Sequence, residues 1–410
     1  MRYVIQPLDL PEALEKILAA TRPVARIGTV PIEAANGRFC AADTHADTDL
    51  PPFASSAMDG YALFAEAAGF GPGSLNNHGE SLAGHPYSGT LAPGACIRIT
   101  TGAQVPASAN AVVIQENCSV RDRVVHIHTT VTAGANIRPP GQDVGCGDIV
   151  VPRARRINAF DVSWLAACGI TEITVTQKPR VAVFSTGDEL VEPGSGLGAG
   201  KIFDSNRRAL LELLKELPVT ITDLGILPDR TRRIADALTQ ASATHDLLLT
   251  TGGVSVGDAD FVKSVIETIG ELEFWRLNLK PGKPLAFGHI GDCLFFGLPG
   301  NPVSAIVTYL LIAQPALIRL CGGDPQPTKF YRATLTQPIQ HSPGREEYQR
   351  GLLDFAAAGL QVSATGDQSS NRLATFSKAD CLIRVPQESA EVAGGEFVDV
   401  VPFFGLIQAR

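Results

Sequence analysis

Three apolar, strand-like runs in the second half of the chain each end at a turn of small residues, and this recurrence constrains the fold more than any other feature. One of them reads Leu247-Leu-Leu-Thr-Thr-Gly-Gly-Val-Ser-Val-Gly-Asp-Ala-Asp260. Glycine accepts φ > 0 without steric cost, so such a turn can bend its backbone N–H groups into a concave anion site. Asp258 and Asp260 follow at once, and carboxylates beside an anion site require a hard cation between them. The local reading is a phosphate-like group with Mg²⁺ at the end of a buried strand. Val181-Ala-Val-Phe-Ser-Thr-Gly-Asp-Glu-Leu190 repeats the pattern with Asp188 and Glu189. Cys293-Leu-Phe-Phe-Gly-Leu-Pro-Gly-Asn-Pro-Val-Ser304 is the third, followed by an apolar segment of helical character. Ligands of open α/β sheets sit at the carboxyl ends of strands. A single turn of this kind is more often structural, but three within about 120 residues predict one shared crevice.

Around these runs strands alternate with helices. Strands are predicted at 181–185, 220–226, 246–250 and 293–297, and helices at 205–216, 230–241, 260–269 and 302–320. This alternation predicts a parallel sheet covered on both faces. Val303 to Leu320 is the longest apolar run, but Thr308, Tyr309, Gln314 and Pro315 interrupt it, so it reads as a buried helix and not as a membrane span. Upstream, Asp9-Leu-Pro-Glu12 opens a helix that persists to about Ala20, with an acid at the N-cap and an early proline. Between Asp43 and Gly147 glycine and proline are frequent, and short strands are predicted at 96–100, 111–115 and 123–128. Arg156 to Gly169 reads as a helix closed by its terminal glycine. After Pro325 helices vanish and short strands resume, as in a small β-barrel or sandwich.

A chain of 410 residues exceeds one ordinary core, so two to four domains are expected. A formal charge of −8 argues against a nucleic-acid partner. It also means that an anionic substrate must be held by local dipoles, metal and a few basic side chains. The eight cysteines are scattered without a Cys-x-x-Cys pair, which excludes a disulfide framework or structural zinc as the organising device. No basic-then-apolar leader opens the chain, and the expected location is cytoplasmic.

Other segments present chemistry that is ambiguous taken singly. Pro51-Pro-Phe-Ala-Ser-Ser-Ala-Met-Asp-Gly-Tyr61 carries Asp59 on a small-residue loop, and Arg138-Pro-Pro-Gly-Gln-Asp143 is a rigid turn presenting an acid. Each could equally be a capped turn. Thr100-Thr-Gly-Ala103 is a further small-residue turn. Lys280-Pro-Gly-Lys283-Pro sets two ammonium groups on a stiff loop, and Arg350 with Ser369-Ser370 could ligate an oxyanion. Gly194-Ser-Gly-Leu-Gly-Ala199 matches a dinucleotide pattern but follows Glu192-Pro193 in place of a strand, so it reads as a loop. No Walker-type Gly-x₄-Gly-Lys-[Ser/Thr] occurs. His126 and His128 alternate onto one strand face without a third ligand at recognisable spacing.

Taken in order, these segments closely resemble the molybdopterin molybdenumtransferase family, the MoeA proteins and the gephyrin E domain. The matching elements are Pro-Pro-Phe-x-x-Ser-Ala-Met-Asp-Gly-Tyr-Ala, Thr-Gly-Ala-x-x-Pro, Gly-x-Asp, Ser-Thr-Gly-Asp-Glu-Leu and Asp204-Ser-Asn206. They continue through Thr-Gly-Gly-Val-Ser-Val-Gly-x-x-Asp, Lys-Pro-Gly-Lys-Pro and Gly-Leu-Pro-Gly-Asn-Pro-Val-Ser. The resemblance implies a multidomain α/β and β protein. Residues 5–43 and 145–178 would form a discontinuous first domain, and 44–144 an inserted β-rich domain. Residues 179–327 would be a parallel-sheet α/β domain of molybdopterin-binding type, and 328–410 a C-terminal β-barrel. It implies an elongated homodimer whose cleft joins the inserted domain of one subunit to the α/β and C-terminal domains of the other. The implied reaction is Mg²⁺-dependent: adenylylated molybdopterin plus molybdate gives molybdenum cofactor plus AMP. Transient contacts with the molybdopterin adenylyltransferase and with molybdoenzyme acceptors are the further partners it suggests.

On this resemblance Glu189, Asp229 and Asp260 would bind Mg²⁺, with Asp59 and Asp143 completing the catalytic acids. Thr101, Ser185, Thr186, Gly187, Asp188, Asp204, Asn206, Thr251, Gly252, Gly253, Ser255, Gly257, Pro299, Gly300 and Asn301 would bind the organic substrate. Lys280, Lys283, Arg350 and Ser370 would be the molybdate ligands. Asn110 stands where the family usually has Asp, Gln142 where it has Glu, and Ser369 where Gly commonly precedes the serine. Two rival readings are a scaffold or molybdopterin-binding member without turnover and a nucleotide hydrolase built on the same α/β domain.

Overall fold

Continuously apolar runs become the central strands. In the computed structural model, which describes residues 7–253, 261–357 and 359–406, Arg180–Thr186, Leu247–Thr251 and Cys293–Leu298 are buried along almost their whole length. The α/β sheet has six strands in the order Thr220–Leu227, Arg180–Thr186, Leu247–Thr251, Cys293–Leu298, Pro284–Ile290, Glu271–Arg276. Alternate residues feed opposite faces. Val181, Val183, Leu247, Leu249, Phe296 and Leu298 pack with Leu210, Leu214 and the helical run from Val303. Ala182, Phe184, Leu248 and Phe295 pack with Ile234, Leu238, Val262, Val265 and Ile266. Both faces are covered, as the strand–helix alternation predicts.

The sheet is mixed, which corrects the expectation of a purely parallel one. Its first four strands are parallel, whereas Pro284–Ile290 runs antiparallel to both its neighbours, Cys293–Leu298 and Glu271–Arg276. The cause is local: Ile290 pairs with Cys293 across a two-residue turn containing Gly291 at φ +58°, and so short a link can join only antiparallel neighbours. From Arg180–Thr186 the chain first adds a strand on one side, then crosses to add Leu247–Thr251 on the other. The crevice at such a reversal is where open α/β sheets bind ligands.

Pro302–Leu320 is 78% buried inside the fold, as a core helix is. Its middle, Tyr309–Ala313, is a π-helical turn just before Pro315. Proline has no N–H to return to the carbonyl four residues back, so the hydrogen-bond ladder must shift there.

The first helix, Leu10–Ala20, buries Leu10, Ala13 and Ile17 in the same core as the Val303 helix. It therefore packs with the α/β domain, whereas the expected division groups it with 145–178. Ile27–Pro31 does pair with Glu172–Thr176, and Thr44–His45 with Ile149–Val151, around a separate core. Between these segments a second six-stranded sheet spans Gly60–Leu63 to Val124–Ile127. Near the C-terminus, Glu346–Ala356, Gly359–Ala364, Tyr331–Leu335, Phe397–Pro402 and Cys381–Val385 close into a barrel through pairing of the first with the last. Leu279–Lys280 leaves the α/β domain to lie parallel to Glu346–Ala356, with Lys280 opposite Glu347. That strand pair carries Lys280 to the barrel.

Candidate functional site

The three strand-end turns meet. Gly252 and Gly253 have φ of +85° and +64°, and a Cβ on Gly252 would stand 2.6 Å from the Thr186 carbonyl oxygen. Only glycine fits so close an approach. The Gly252 N–H donates to the Leu298 carbonyl at 3.2 Å, and a Cβ on Gly300 would come within 3.8 Å of the Gly252 Cα. Thr251 and Pro299 are buried where these turns leave the sheet. The Thr186 hydroxyl is buried with no hydrogen-bond partner among the described residues. A buried polar group of this kind is stabilised by any ligand oxygen that reaches it. Ser255, Gly257 and Asp260, expected to complete the middle turn, lie outside the described residues.

Acids rim the crevice. Asp188 and Asp229 exchange backbone-to-carboxylate hydrogen bonds: Asp188 N–H to Asp229 Oδ2 at 3.3 Å, and Asp229 N–H to Asp188 Oδ1 at 3.2 Å. Lys201 Nζ donates to the Asp188 carbonyl. Glu189 curls back over Gly187, its Oε2 lying 2.6 Å from where a Cβ would stand on that glycine, whose φ is +148°. Burial pushes the Asp229 carboxyl up; the Asp188 N–H opposes this, and the nearby Asp188 and Glu189 charges reinforce it. All-oxygen donors on adjacent turns are the chemistry of a hard cation. No group of three metal-competent side chains is assembled among the described residues. Glu189 and Asp229 are thus brought near one another, and the third expected ligand, Asp260, is not described.

A carboxyl raised in the folded state favours folding at low pH, and that contribution is lost as pH rises through the folded value. Asp229→Asn is therefore expected to unfold at a higher temperature than wild type at neutral pH. The gap should narrow as pH falls through the folded value, where the aspartate takes up its own proton. A variant less stable than wild type at neutral pH would contradict the assigned shift.

Several expected ligands face inward. Ser185 is fully buried and donates to Asp204 Oδ2 at 2.6 Å; Asp204 also accepts from Arg207 Nε at 2.8 Å and from the Arg207 N–H at 3.1 Å. Ser185 and Asp204 therefore bond to each other and to Arg207 in the floor of the crevice. Asn206 Nδ2 instead ties to the Gly300 carbonyl at 2.6 Å, bracing the third turn. Asn301 Nδ2 reaches Ser370 Oγ at 3.0 Å, and the Val303 N–H donates to the Ser370 carbonyl at 3.1 Å. Ser370 thus belongs to the crevice, at the seam with the barrel.

Arg350 requires a correction. It is fully buried, and its guanidinium donates to the carbonyls of Gln368 (3.0 Å), Asp367 (3.1 Å) and Ser369 (3.2 Å) and to Thr375 Oγ1 (3.1 Å). The fork shapes the 367–370 loop and is not presented to an oxyanion. Burial lowers its pKa, against the raising influence of Glu347 and Asp367. Lys280 Nζ pairs with Glu347 Oε2 at 3.1 Å in a cleft of about 440 Å³ that is also lined by Gln349, Gln368 and Ser369. Lys283 is exposed.

The inserted domain holds its acids apart. Asp59 is exposed, and its Oδ1 accepts the Thr101 N–H at 2.7 Å and the Thr101 hydroxyl at 2.9 Å. These bonds, with Arg98, hold it below the ordinary carboxylate range. Asp143 is exposed. Among the described residues no hydrogen bond or ion pair links residues 44–144 to the α/β crevice. Asn110 explains itself: its amide accepts from the Ala65 N–H at 2.7 Å and donates to the Ala65 carbonyl at 2.8 Å, a pairing that aspartate cannot make. His126 and His128 each meet a serine, Ser74 at 2.7 Å and Ser119 at 3.0 Å.

Residues 8–169 match the MoeA N-terminal region (domains I and II), 182–319 a probable molybdopterin binding domain, and 332–403 the MoeA C-terminal region (domain IV). The molybdopterin molybdenumtransferase of Haemophilus influenzae is 36% identical over 403 residues, spanning 98% of this chain and 100% of that protein. The chain belongs to the molybdopterin molybdenumtransferase (MoeA) family. It is also 31% identical to gephyrin of Dictyostelium discoideum over 452 residues, covering 97% of this chain and 62% of gephyrin. The crystal structure of a molybdopterin biosynthesis moeA protein from Pyrococcus horikoshii OT3 superposes with a TM-score of 0.84 at 28% identity, over 97% of this chain and 100% of that one. Family membership makes the chain a transferase of molybdenum cofactor biosynthesis.

Sequence reasoning missed Arg207, Glu347 and Gln368. Arg207 carried a signal, standing three residues after Asp204 on one helical turn. Glu347 and Gln368 carried none, because only the Lys280–Glu347 strand pairing and the Arg350 contacts bring them to the cleft.

Proposed function

We propose that this protein inserts molybdate into adenylylated molybdopterin, releasing AMP and forming molybdenum cofactor, in a Mg²⁺-dependent reaction. The meeting of the three strand-end turns at the sheet's reversal point, with Asp188, Glu189 and Asp229 on their rim, carries this reading. The glycine turns and the Thr186 hydroxyl hold the phosphates of the organic substrate. Glu189, Asp229 and Asp260 would hold Mg²⁺, which when bound supplies the positive charge that polarises a phosphoanhydride. Asn206 and Asn301 keep the Gly300 turn in place against the first two. Lys280, Lys283 and Ser370 face the molybdate, and Arg350 serves that site by fixing the loop that bears Ser370. Asp59 and Asp143 make no hydrogen bond or ion pair to this crevice among the described residues, and in a homodimer they would reach it from the partner.

The nucleotide-hydrolase alternative is tested by binding. Adenylylated molybdopterin should bind at least tenfold more tightly than ADP or ATP, because the pterin end adds contacts that the phosphates do not. Equal affinity for simple nucleotides would turn the reading towards hydrolysis.

A further inference from the structure

A carboxylate stands in the cleft where an oxyanion is to bind. The side chain of Glu347 is 3% exposed, and its Oε2 accepts from Lys280 Nζ at 3.1 Å. Behind it, the wholly buried His341 side chain brings Nε2 within 3.5 Å of the same oxygen. His341 Nδ1 lies 2.7 Å from the Ser389 carbonyl, which can only accept, so Nδ1 carries a proton. Its Nε2 has no hydrogen-bond partner among the described residues and lies beside the Glu347 oxygen without bonding to it. The register sets this row: Leu279–Lys280 lies on Glu346–Ala356 with Lys280 opposite Glu347. The Lys280 side chain remains 36% exposed. One of its three N–H groups is taken by Glu347, which leaves two for the cleft.

Left alone, a lysine stem samples many rotamers, and ordering it on a ligand costs conformational entropy. We propose that Glu347 is a positioning residue that fixes the Lys280 ammonium at the wall of the oxyanion cleft before the anion arrives. This rests on the reading of that cleft as the molybdate site. The alternative has the opposite sign. If Glu347 were only a nearby negative charge, neutralising it would strengthen anion binding.

The experiment uses the full chain and Glu347→Gln, which keeps shape and removes charge. Molybdate is titrated calorimetrically, and AMP release is followed at saturating organic substrate. The expected result is a molybdate Kd and KM raised about tenfold, with the KM for adenylylated molybdopterin unchanged and part of the loss recovered in Glu347→Asp. A molybdate Kd that is unchanged or lowered in Glu347→Gln overturns the positioning role. Lys280→Ala is run in parallel. If it leaves molybdate binding intact, the cleft itself has been misassigned. If it weakens binding while Glu347→Gln does not, the cleft stands and only the positioning role falls. Should Glu347→Gln not fold, Glu347→Asp, which shortens the reach to Lys280, should still raise the molybdate Kd severalfold, and no rise there would overturn the proposal.

Discussion

Arg207→Met is expected to destabilise the protein by about 3–5 kcal/mol, the cost of breaking a buried ion pair by removing one partner. Arg207 is 1% exposed and lies at the centre of three acids: Asp204 at 2.8 Å, both Asp223 oxygens at 2.5 Å, and Glu192. Burial works against its charge, but the hydrogen bonds it donates to Asp204 and Asp223 more than offset this and raise its pKa. Asp204 is itself 1% exposed. Without the guanidinium it keeps only the Ser185 hydroxyl and one backbone N–H. The double variant Arg207→Met, Asp204→Asn should therefore recover part of the loss. Urea unfolding midpoints would measure it, and a loss below about 1 kcal/mol would show that the cluster is not buried as described. The effect also reaches function, because the cluster anchors both the segment after Glu189 and the Asn206 amide that braces Gly300.

Glu189→Ala is expected to leave the fold intact and to lower AMP release by on the order of a hundredfold or more, as losing one preorganised charge-stabilising contact does. Glu189 is exposed at a strand end, and no hydrogen bond among the described residues depends on its side chain. Its removal therefore has little structural cost. Asp260→Ala should behave alike. Wild-type turnover in either variant would remove these acids from the metal site. A cleft shared by two subunits, as proposed, would give the same variant a second use. Mixed and re-equilibrated with inactive Asp59→Ala, it should regain about a quarter of wild-type activity, since half of the mixed dimers are hybrids with one intact site each. No recovery after subunit exchange would place Asp59 outside the partner's crevice.

The parts of the fold legible in the sequence were those written in local patterns. Continuous apolar runs gave the strands ending at Thr186, Thr251 and Leu298, and the small residues after them gave the crevice. The last two strands of the sheet were missed because Glu271–Arg276 and Pro284–Ile290 mix charged, aromatic and glycine residues without a clean alternation. At the site, exposure and pairing decided what residue type could not. Arg350 and Asp204 are charged residues on motifs, yet both are spent inside the protein. Glu189 and Asp229, of similar chemistry, stay at the crevice mouth. Nothing in a run of residues distinguishes an arginine that meets a ligand from one that holds three carbonyls.

The central claim is tested most directly by measuring AMP release from adenylylated molybdopterin by the purified protein, with millimolar molybdate supplied or omitted and Mg²⁺ present or chelated. The account predicts AMP, with molybdenum cofactor formed in equal amount, only when molybdate and Mg²⁺ are both present. AMP release indifferent to molybdate, or undiminished by chelation, would contradict it.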